Sequence, residues 1–217
     1  MMLAEPVSPS WKRFLRFGVR GLLVFVLVIG AGLGWIVHQA HIQRDAVAAI
    51  VTAGGVIEYD WQRGNGKSVP GGEPSAPRWL VHLIGGDYFG HVTAVWLSHT
   101  KETDATLADV GRLTRLEEFY INSQAISDAG LEHLTGLTNL SVLWLYRTQV
   151  TDAGLAHLKG LTHLSSLRLH GTRVTDAGLV HLRPLTNLKR LVISGTRVTD
   201  AGATELNQAL PSLEIIR

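Results

Sequence analysis

The sequence predicts an α/β solenoid, with a parallel β-sheet on the concave face of a short horseshoe and short helices on its convex face. One transmembrane helix and an α+β N-terminal cap are predicted ahead of it. Three observations carry this prediction. The C-terminal part of the chain repeats itself every 24 residues, and each copy spaces its leucines first as a strand does and then as a helix does. Ahead of the copies, one apolar run without a charge follows a basic tail.

Residues 1–17 read as a basic cytoplasmic tail and residues 18–38 as a transmembrane signal-anchor helix. The first 20 residues hold Lys12, Arg13, Arg16 and Arg20 against Glu5. The chain as a whole holds 20 Lys+Arg and 18 Asp+Glu, so the chain beyond this tail is close to neutral. A nucleic-acid binder carries its basic excess as a patch on the folded part, so no nucleic-acid partner is expected. From Gly21 to Val37 the run GLLVFVLVIGAGLGWIV has no charged residue. As a helix it reaches about 26 Å, the short end of what crosses a hydrocarbon core of about 30 Å. Arg20 can snorkel toward the head groups, and Trp11 and Trp35 sit near the two ends, where aromatic rings favour the interface.

The positive flank before the run keeps the N-terminus cytoplasmic and sends everything after about residue 38 across the membrane. A cleaved signal peptide shares the basic and apolar regions, but its apolar region usually runs about 7–15 residues. The exit here, Ile36-Val37-His38-Gln39-Ala40, is a poor match to Ala-x-Ala, so an uncleaved anchor is the favoured reading. Gly30 and Gly34 form a GxxxG pair, which in so Gly-rich a helix reads as lipid-facing glycine.

Residues 39–90 read as a juxtamembrane helix and an N-terminal cap with a Gly/Pro-rich loop. Ile42, Ala46, Ala49 and Ile50 recur at helical spacing, and Gly54-Gly55 stops that helix. Val56 to Trp61 reads as a strand, Arg63 to Pro77 as an exposed loop, and Arg78 to Ile84 as a helix of one or two turns. An open solenoid exposes the apolar edge of its first coil, and this block, with Trp61, Trp79, Tyr88 and Phe89, is suited to cover it. Glu58, Asp60 and Asp87 match no catalytic spacing.

Residues 91–217 carry the repeats, five units and a terminal strand. Thr103-Asp104, Ser127-Asp128, Thr151-Asp152, Thr175-Asp176 and Thr199-Asp200 recur in step. Leu140-Ser-Val-Leu143-Trp-Leu145 aligns with Leu164-Ser-Ser-Leu167-Arg-Leu169 and Leu188-Lys-Arg-Leu191-Val-Ile193. The pattern and its period fit a leucine-rich repeat. Alternation turns the last two apolar residues inward and their neighbours outward. Thr148, Thr172 and Thr196 follow the strands, where a hydroxyl can bond the turning backbone; Gln124 breaks that column, and the first unit keeps Thr100. The Asp of Asp-Ala-Gly-Leu suits a helix N-cap. Gly111, Gly136 and Gly160 close the helical segment, with Pro184 in the fourth unit's place. Leu210 to Arg217 starts a sixth strand after a one-residue insertion.

Thr-Asp-Ala-Gly-Leu-x-His-Leu units preceded by Leu-x-x-Leu-x-Leu resemble the leucine-rich repeat proteins of planctomycete bacteria, many of which follow a short basic, hydrophobic anchor. The repeats also resemble the Asp-x-Gly-Leu class of F-box/leucine-rich-repeat receptors, although no F-box-like segment is visible. The resemblance covers residues 91–217 strongly and 11–90 loosely. It implies a fold and a habit of binding protein.

Strand register places Trp96, Tyr120, Trp144, Arg168 and Val192 in one outward column of the concave sheet. Ser98, Asn122, Tyr146, His170 and Ser194 run beside it, and Ala94, Glu118, Val142, Ser166 and Arg190 on its other side. The expected partner-binding residues are Trp96, Tyr120, Trp144, Arg168, Tyr146 and His170, because aromatics and Arg dominate binding hot spots. Cross-strand stacking by residues of high β-propensity is the alternative account of the same stripe. His133, His157 and His181 form a column on the helical face, where they read as copied surface residues with no metal.

No cysteine is present, which removes disulfides, thiol nucleophiles and Cys-based zinc sites. No catalytic, phosphate-loop or dinucleotide motif appears, so neither an enzyme nor a cofactor is expected. The function expected is capture of a protein or peptide by a membrane-tethered concave face. The alternatives are a self-associating envelope protein, a homo-oligomer of this chain, and a substrate-recognition module of a ubiquitin-ligase-like or proteolytic assembly.

Overall fold

The computed structural model describes residues 19–64, 67–68, 72–98 and 103–217. The basic tail with Trp11, part of the Gly/Pro-rich loop, and Thr100 lie outside the described residues. The chain divides into two units, Met1–Ala40 and His41–Arg217. Helix α1 spans Val19–Thr52, and its stretch Val24–Thr52 is long and apolar enough to cross a membrane. In the first unit Val24, Phe25, Leu27, Val28 and Trp35 are each more than half exposed.

The second unit is a leucine-rich repeat solenoid. Six strands, β4 (Val92–Leu97), β5 (Glu118–Asn122), β6 (Val142–Tyr146), β7 (Ser166–Arg168), β8 (Arg190–Val192) and β9 (Glu214–Ile216), run parallel in that order. At the other edge β1 (Val56–Tyr59) pairs antiparallel with β4. Each strand bonds the strand one repeat away in step, so Val95, Phe119, Leu143, Leu167, Leu191 and Ile215 form one column. A fixed period and a parallel ladder therefore put like residues side by side. Phe119, Leu143, Leu167 and Leu191 are completely buried, and so are Leu131, Leu134, Leu137 and Leu140 with their counterparts Leu158, Leu161 and Leu164. Each such burial is worth about 1.5–3 kcal/mol.

The helical side is built from α3 (Asp104–Val110), α4 (Asp128–Glu132), α5 (Asp152–Leu155), α6 (Asp176–Leu179) and α7 (Asp200–Ala209). The structure corrects the expected role of the repeated Asp. The preceding Ser or Thr is the N-cap: Ser127, Thr151 and Thr175 accept from the N–H groups of Ala129, Ala153 and Ala177. The Asp, at the first helical position, reaches forward into the next repeat. Asp128 accepts from Thr151 N–H at 2.8 Å and from its hydroxyl at 2.6 Å. Asp104, Asp152 and Asp176 bond Ser127, Thr175 and Thr199 in the same way. The two bonds from Thr199 hold the Asp176 carboxyl below its ordinary range.

This reach also explains the glycine of Asp-Ala-Gly. A Cβ at Gly130, Gly154, Gly178 or Gly202 would land on Oδ1 of Asp104, Asp128, Asp152 or Asp176. By contrast, none of Gly111, Gly136 and Gly160 has a positive φ, so they close their helices without a left-handed turn, and Pro184 fits the same place.

Asn139, His163 and Asn187 add a second set of inter-repeat bonds, each to the carbonyl of a residue in the preceding unit (Thr114, Thr138 and Thr162). Thr172 and Thr196 bond the carbonyls of Leu169 and Ile193 as the column predicts, but buried Thr148 Oγ1 finds no partner among the described residues.

The segment ahead of β4 combines helices with antiparallel strands, with two departures from expectation. Ala46 and Ile50 of α1 join the core, and Trp61 stacks on Tyr59 with ring centroids 4.2 Å apart. Trp79, on α2 (Arg78–Ile84), covers nothing and is 68% exposed. The expected loop from Arg63 holds two short paired strands, β2 (Arg63–Gly64) and β3 (Lys67–Ser68), and Arg63 turns back onto the sheet. Glu58, Asp60 and Asp87 serve separately: Glu58 pairs with Arg63, Asp60 accepts from Trp61 N–H, and Asp87 accepts from the Tyr59 hydroxyl.

Candidate functional site

The sheet side is where the repeats stop being copies. The core columns hold the same residue type from unit to unit, whereas the outward columns change at every step. Parallel pairing sets Trp96 beside Tyr120, Tyr120 beside Trp144, and Trp144 beside Arg168. Strands about 4.8 Å apart bring such side chains into contact. Trp96 and Tyr120 stack at 5.3 Å with planes 4° apart, and Tyr120 meets Trp144 edge to face at 4.6 Å. The Arg168 guanidinium lies 3.7 Å from the centre of the Trp144 ring. The four side chains form one aromatic and cationic ladder across four strands, each of them half-buried.

A second ladder runs beside the first. Tyr146 and His170 stack at 4.4 Å, and His170 Nδ1 lies 2.9 Å from Ser194 Oγ. The Arg147 guanidinium stands 5.4 Å from the Tyr146 ring. All six residues expected to bind a partner thus occupy two adjoining ladders on one face. The third column holds its register, with Ala94 beside Glu118, but Ala94 is fully buried where β1 pairs with β4.

The ladder is oriented by a group that the sequence does not point to. Arg63 lies 2.8 Å from Glu118, 3.0 Å from Glu58 and 3.8 Å from Glu117. Glu118 in turn accepts a 2.6 Å bond from the Tyr120 hydroxyl. Burial alone would raise Glu118, but the bonds from Arg63 and Tyr120 prevail and hold it below its ordinary value. Burial and Glu118 together push the Tyr120 phenol well up, so it stays a donor. No long-range pairing is written in a Gly/Pro-rich segment, so nothing near Arg63 signals this role.

At the other end the ladder is not self-sufficient. Arg168 has no carboxylate partner among the described residues, and neither have Arg147, Arg173 and Arg197 in the segments that follow the strands. Trp144 Nε1 and Arg168 Nε are buried without a hydrogen-bond partner among the described residues. Two unmet donors at one contact mark it as a place where the fold alone leaves polar groups unsatisfied.

Arg147 is the one non-glycine at positive φ among the described residues (51°), in the place where the next two repeats carry Gly171 and Gly195 at 69°. The column Arg, Gly, Gly is readable in the sequence as a left-handed position that one unit has filled at a cost. Arg147→Gly is expected to raise stability by about 0.5 kcal/mol, relief of the left-handed strain outweighing the extra freedom of the unfolded chain. Urea denaturation checks the sign. A loss of stability would mean that the Tyr146 contact outweighs the strain.

The histidine column has no comparable organisation. His133 is exposed, His157 and His181 are half-buried, and no group of three potential metal ligands exists among the described residues.

No family model matches this chain, and no curated protein does. Among solved structures, an internalin of Listeria monocytogenes is 22% identical over 50% of this chain and 36% of its own, with a TM-score of 0.37. A leucine-rich repeat protein of Leptospira interrogans is 20% identical over 51% of this chain and 27% of its own, with a TM-score of 0.41. The leucine-rich repeat ectodomain of a receptor kinase from Arabidopsis thaliana is 14% identical over 81% of this chain and 91% of its own, with a TM-score of 0.46. This chain spans well under two thirds of the length of the first two. The repeat and the sheet it builds carry the fold assignment.

Proposed function

We propose that this protein is a membrane-tethered capture module that binds a protein or peptide on its concave sheet face. The observation that carries this reading is the ladder Trp96–Tyr120–Trp144–Arg168, whose faces stay half-exposed while its cationic end has no carboxylate partner among the described residues. Large aromatics and Arg supply contact area at little loss of side-chain freedom, and clustered at the centre of a face they make hot spots. Arg168, stacked on Trp144, favours a partner that offers a carboxylate next to an apolar or aromatic side chain. The apolar stretch of α1 holds the module at the membrane, N-terminus inside and repeats outside.

The test uses the full chain in lipid nanodiscs as bait for a displayed peptide library. Enriched peptides are expected to pair acidic with aromatic residues. Trp144→Ser is expected to weaken the best of them by about 30-fold, as loss of a 2 kcal/mol hot spot does. The triple replacement of Trp96, Tyr120 and Trp144 by Ser should abolish capture while circular dichroism stays that of a folded chain. Peptides that bind Trp144→Ser and Arg168→Gln as well as the parent would overturn the concave-face reading. Self-association as the only binding detected would favour the envelope-protein reading.

A further inference from the structure

We propose that α2 lies in the membrane–water interface, with Trp79, Leu83 and Ile84 seated among the lipid head groups. This rests on the reading of α1 as a membrane anchor. Helix α2 has no buried residue; Trp79 is 68%, Leu83 72% and Ile84 37% exposed. Trp79 and Leu83 stand one turn apart, on the same face of the helix. Apolar side chains of this size bared together on a soluble surface mark a contact, and the position of α2 within the second unit says with what.

Immediately after α2, Gly85 at a φ of 97° turns the chain into the segment Gly86–Tyr88, which is fastened to the first residues of that unit. The Tyr88 hydroxyl lies 3.3 Å from His41 Nε2. Gln43 Nε2 donates to the carbonyls of Asp87 at 3.3 Å and Gly90 at 3.0 Å, and Gln43 Oε1 accepts from Val92 N–H at 3.4 Å. His41 follows the last residue of the apolar run, Val37, by about one turn, or roughly 6 Å of helix. The segment that follows α2 is therefore fastened to the residues that immediately follow the apolar run in the chain. The covalent tether offers lipid to α2 at an effective concentration no free partner matches. Tryptophan favours this depth, and Arg78, held by a 2.7 Å ion pair with Glu73, sits at the polar boundary of the patch. A helix so placed sinks about 5–10 Å into the head-group and acyl boundary.

The chain has no cysteine, so a single introduced thiol is the only labelling site. The full chain is reconstituted in vesicles of phosphatidylcholine and phosphatidylglycerol, with a polarity-sensitive fluorophore on Leu83→Cys. Val28→Cys in the apolar run reports on the anchor, and Val180→Cys, exposed on the repeats, serves as the solvent reference. The Leu83 label is expected to shift to the blue and to be quenched by nitroxide lipids, more by a nitroxide near the head group than by one at the chain end. The Val180 label should show neither effect. A label at Trp79→Cys repeats the reading should Leu83→Cys disturb the helix. Quenching at Val28 with none at Leu83 or Trp79 would overturn this inference and leave the anchor standing. A blue shift at Leu83 without lipid quenching would assign the patch to a protein contact and overturn it as well. An unquenched Val28 would overturn the anchor and this inference with it.

Discussion

Asp152→Ala is expected to lower the stability of the fourth and fifth repeats by about 3 kcal/mol, since it removes two bonds to a charged acceptor at once. Asp152 accepts from Thr175 N–H at 2.7 Å and from its hydroxyl at 2.6 Å, and that same hydroxyl accepts from Ala177 N–H to begin α6. The loss therefore falls on a seam between repeats and on a helix cap together. In a solenoid, stability is a sum of unit and nearest-neighbour terms, so weakening one seam lets the chain beyond it unfold first. The chain is suited to show this, because no tryptophan lies after Trp144. In guanidinium, loss of far-ultraviolet circular dichroism should precede the tryptophan fluorescence transition in Asp152→Ala and coincide with it in the parent. Coincident transitions at the parent's midpoint would show that the ladder contributes nothing.

Gly178→Ala sharpens the same test, because its Cβ would land on Asp152 Oδ1. Alone it is expected to cost about 2 kcal/mol, and in the Asp152→Ala background clearly less, a coupling of about 1 kcal/mol.

Arg63→Met is expected to be the second large loss, about 3 kcal/mol, for a different reason. Glu58 is 7% exposed and its carboxylate has Arg63 as its one ionic partner among the described residues. Removing one member of a buried pair leaves the other charge desolvated and unmatched. Adding Glu58→Gln should recover part of the loss. The pH dependence separates this from a packing defect. Folding depresses the Glu118 carboxyl, so its contribution is full above its ordinary value of 4.5 and fades as pH falls through the lower folded value. With Arg63 gone, that depression shrinks and the parent's extra stability between neutral and mildly acid pH shrinks with it. Equal losses at pH 7 and below the carboxylate range would refute the ionic account. Because Tyr120 hangs on Glu118, the same variant is expected to loosen the middle of the aromatic ladder.

What could be read from the chain and what could not divides by distance along it. Register was legible because a parallel ladder between copies has one natural alignment, so Trp96, Tyr120, Trp144 and Arg168 meet as the period says. The direction in which Asp128 points was not legible. Asp suits a helix start both as a cap and one residue further in, and only the neighbouring repeat decides between them. The glycine two residues on was the overlooked clue, since a copied helix with no use for glycine would carry alanine there. Ala94 and Arg63 depend on the antiparallel strand β1 and on a turn in a Gly/Pro-rich segment, which no period governs. Trp79 shows the limit of composition, because an aromatic in a cap block looks the same whether it covers a core or faces away from it.

Each repeat grips its successor through the same pair of atoms, and the grip has a direction. Asp104 holds Ser127, and so on forward to Thr199, while Asp200 meets Arg217. Because every joint is alike, excising or duplicating one whole unit would rejoin an Asp to a Ser or Thr without a misfit, wherever between the ends it happened. The core seam thus tolerates changes in array length, and the outward columns are free to vary. A gene with this grammar can lengthen its reading surface by slippage without disturbing any joint between units.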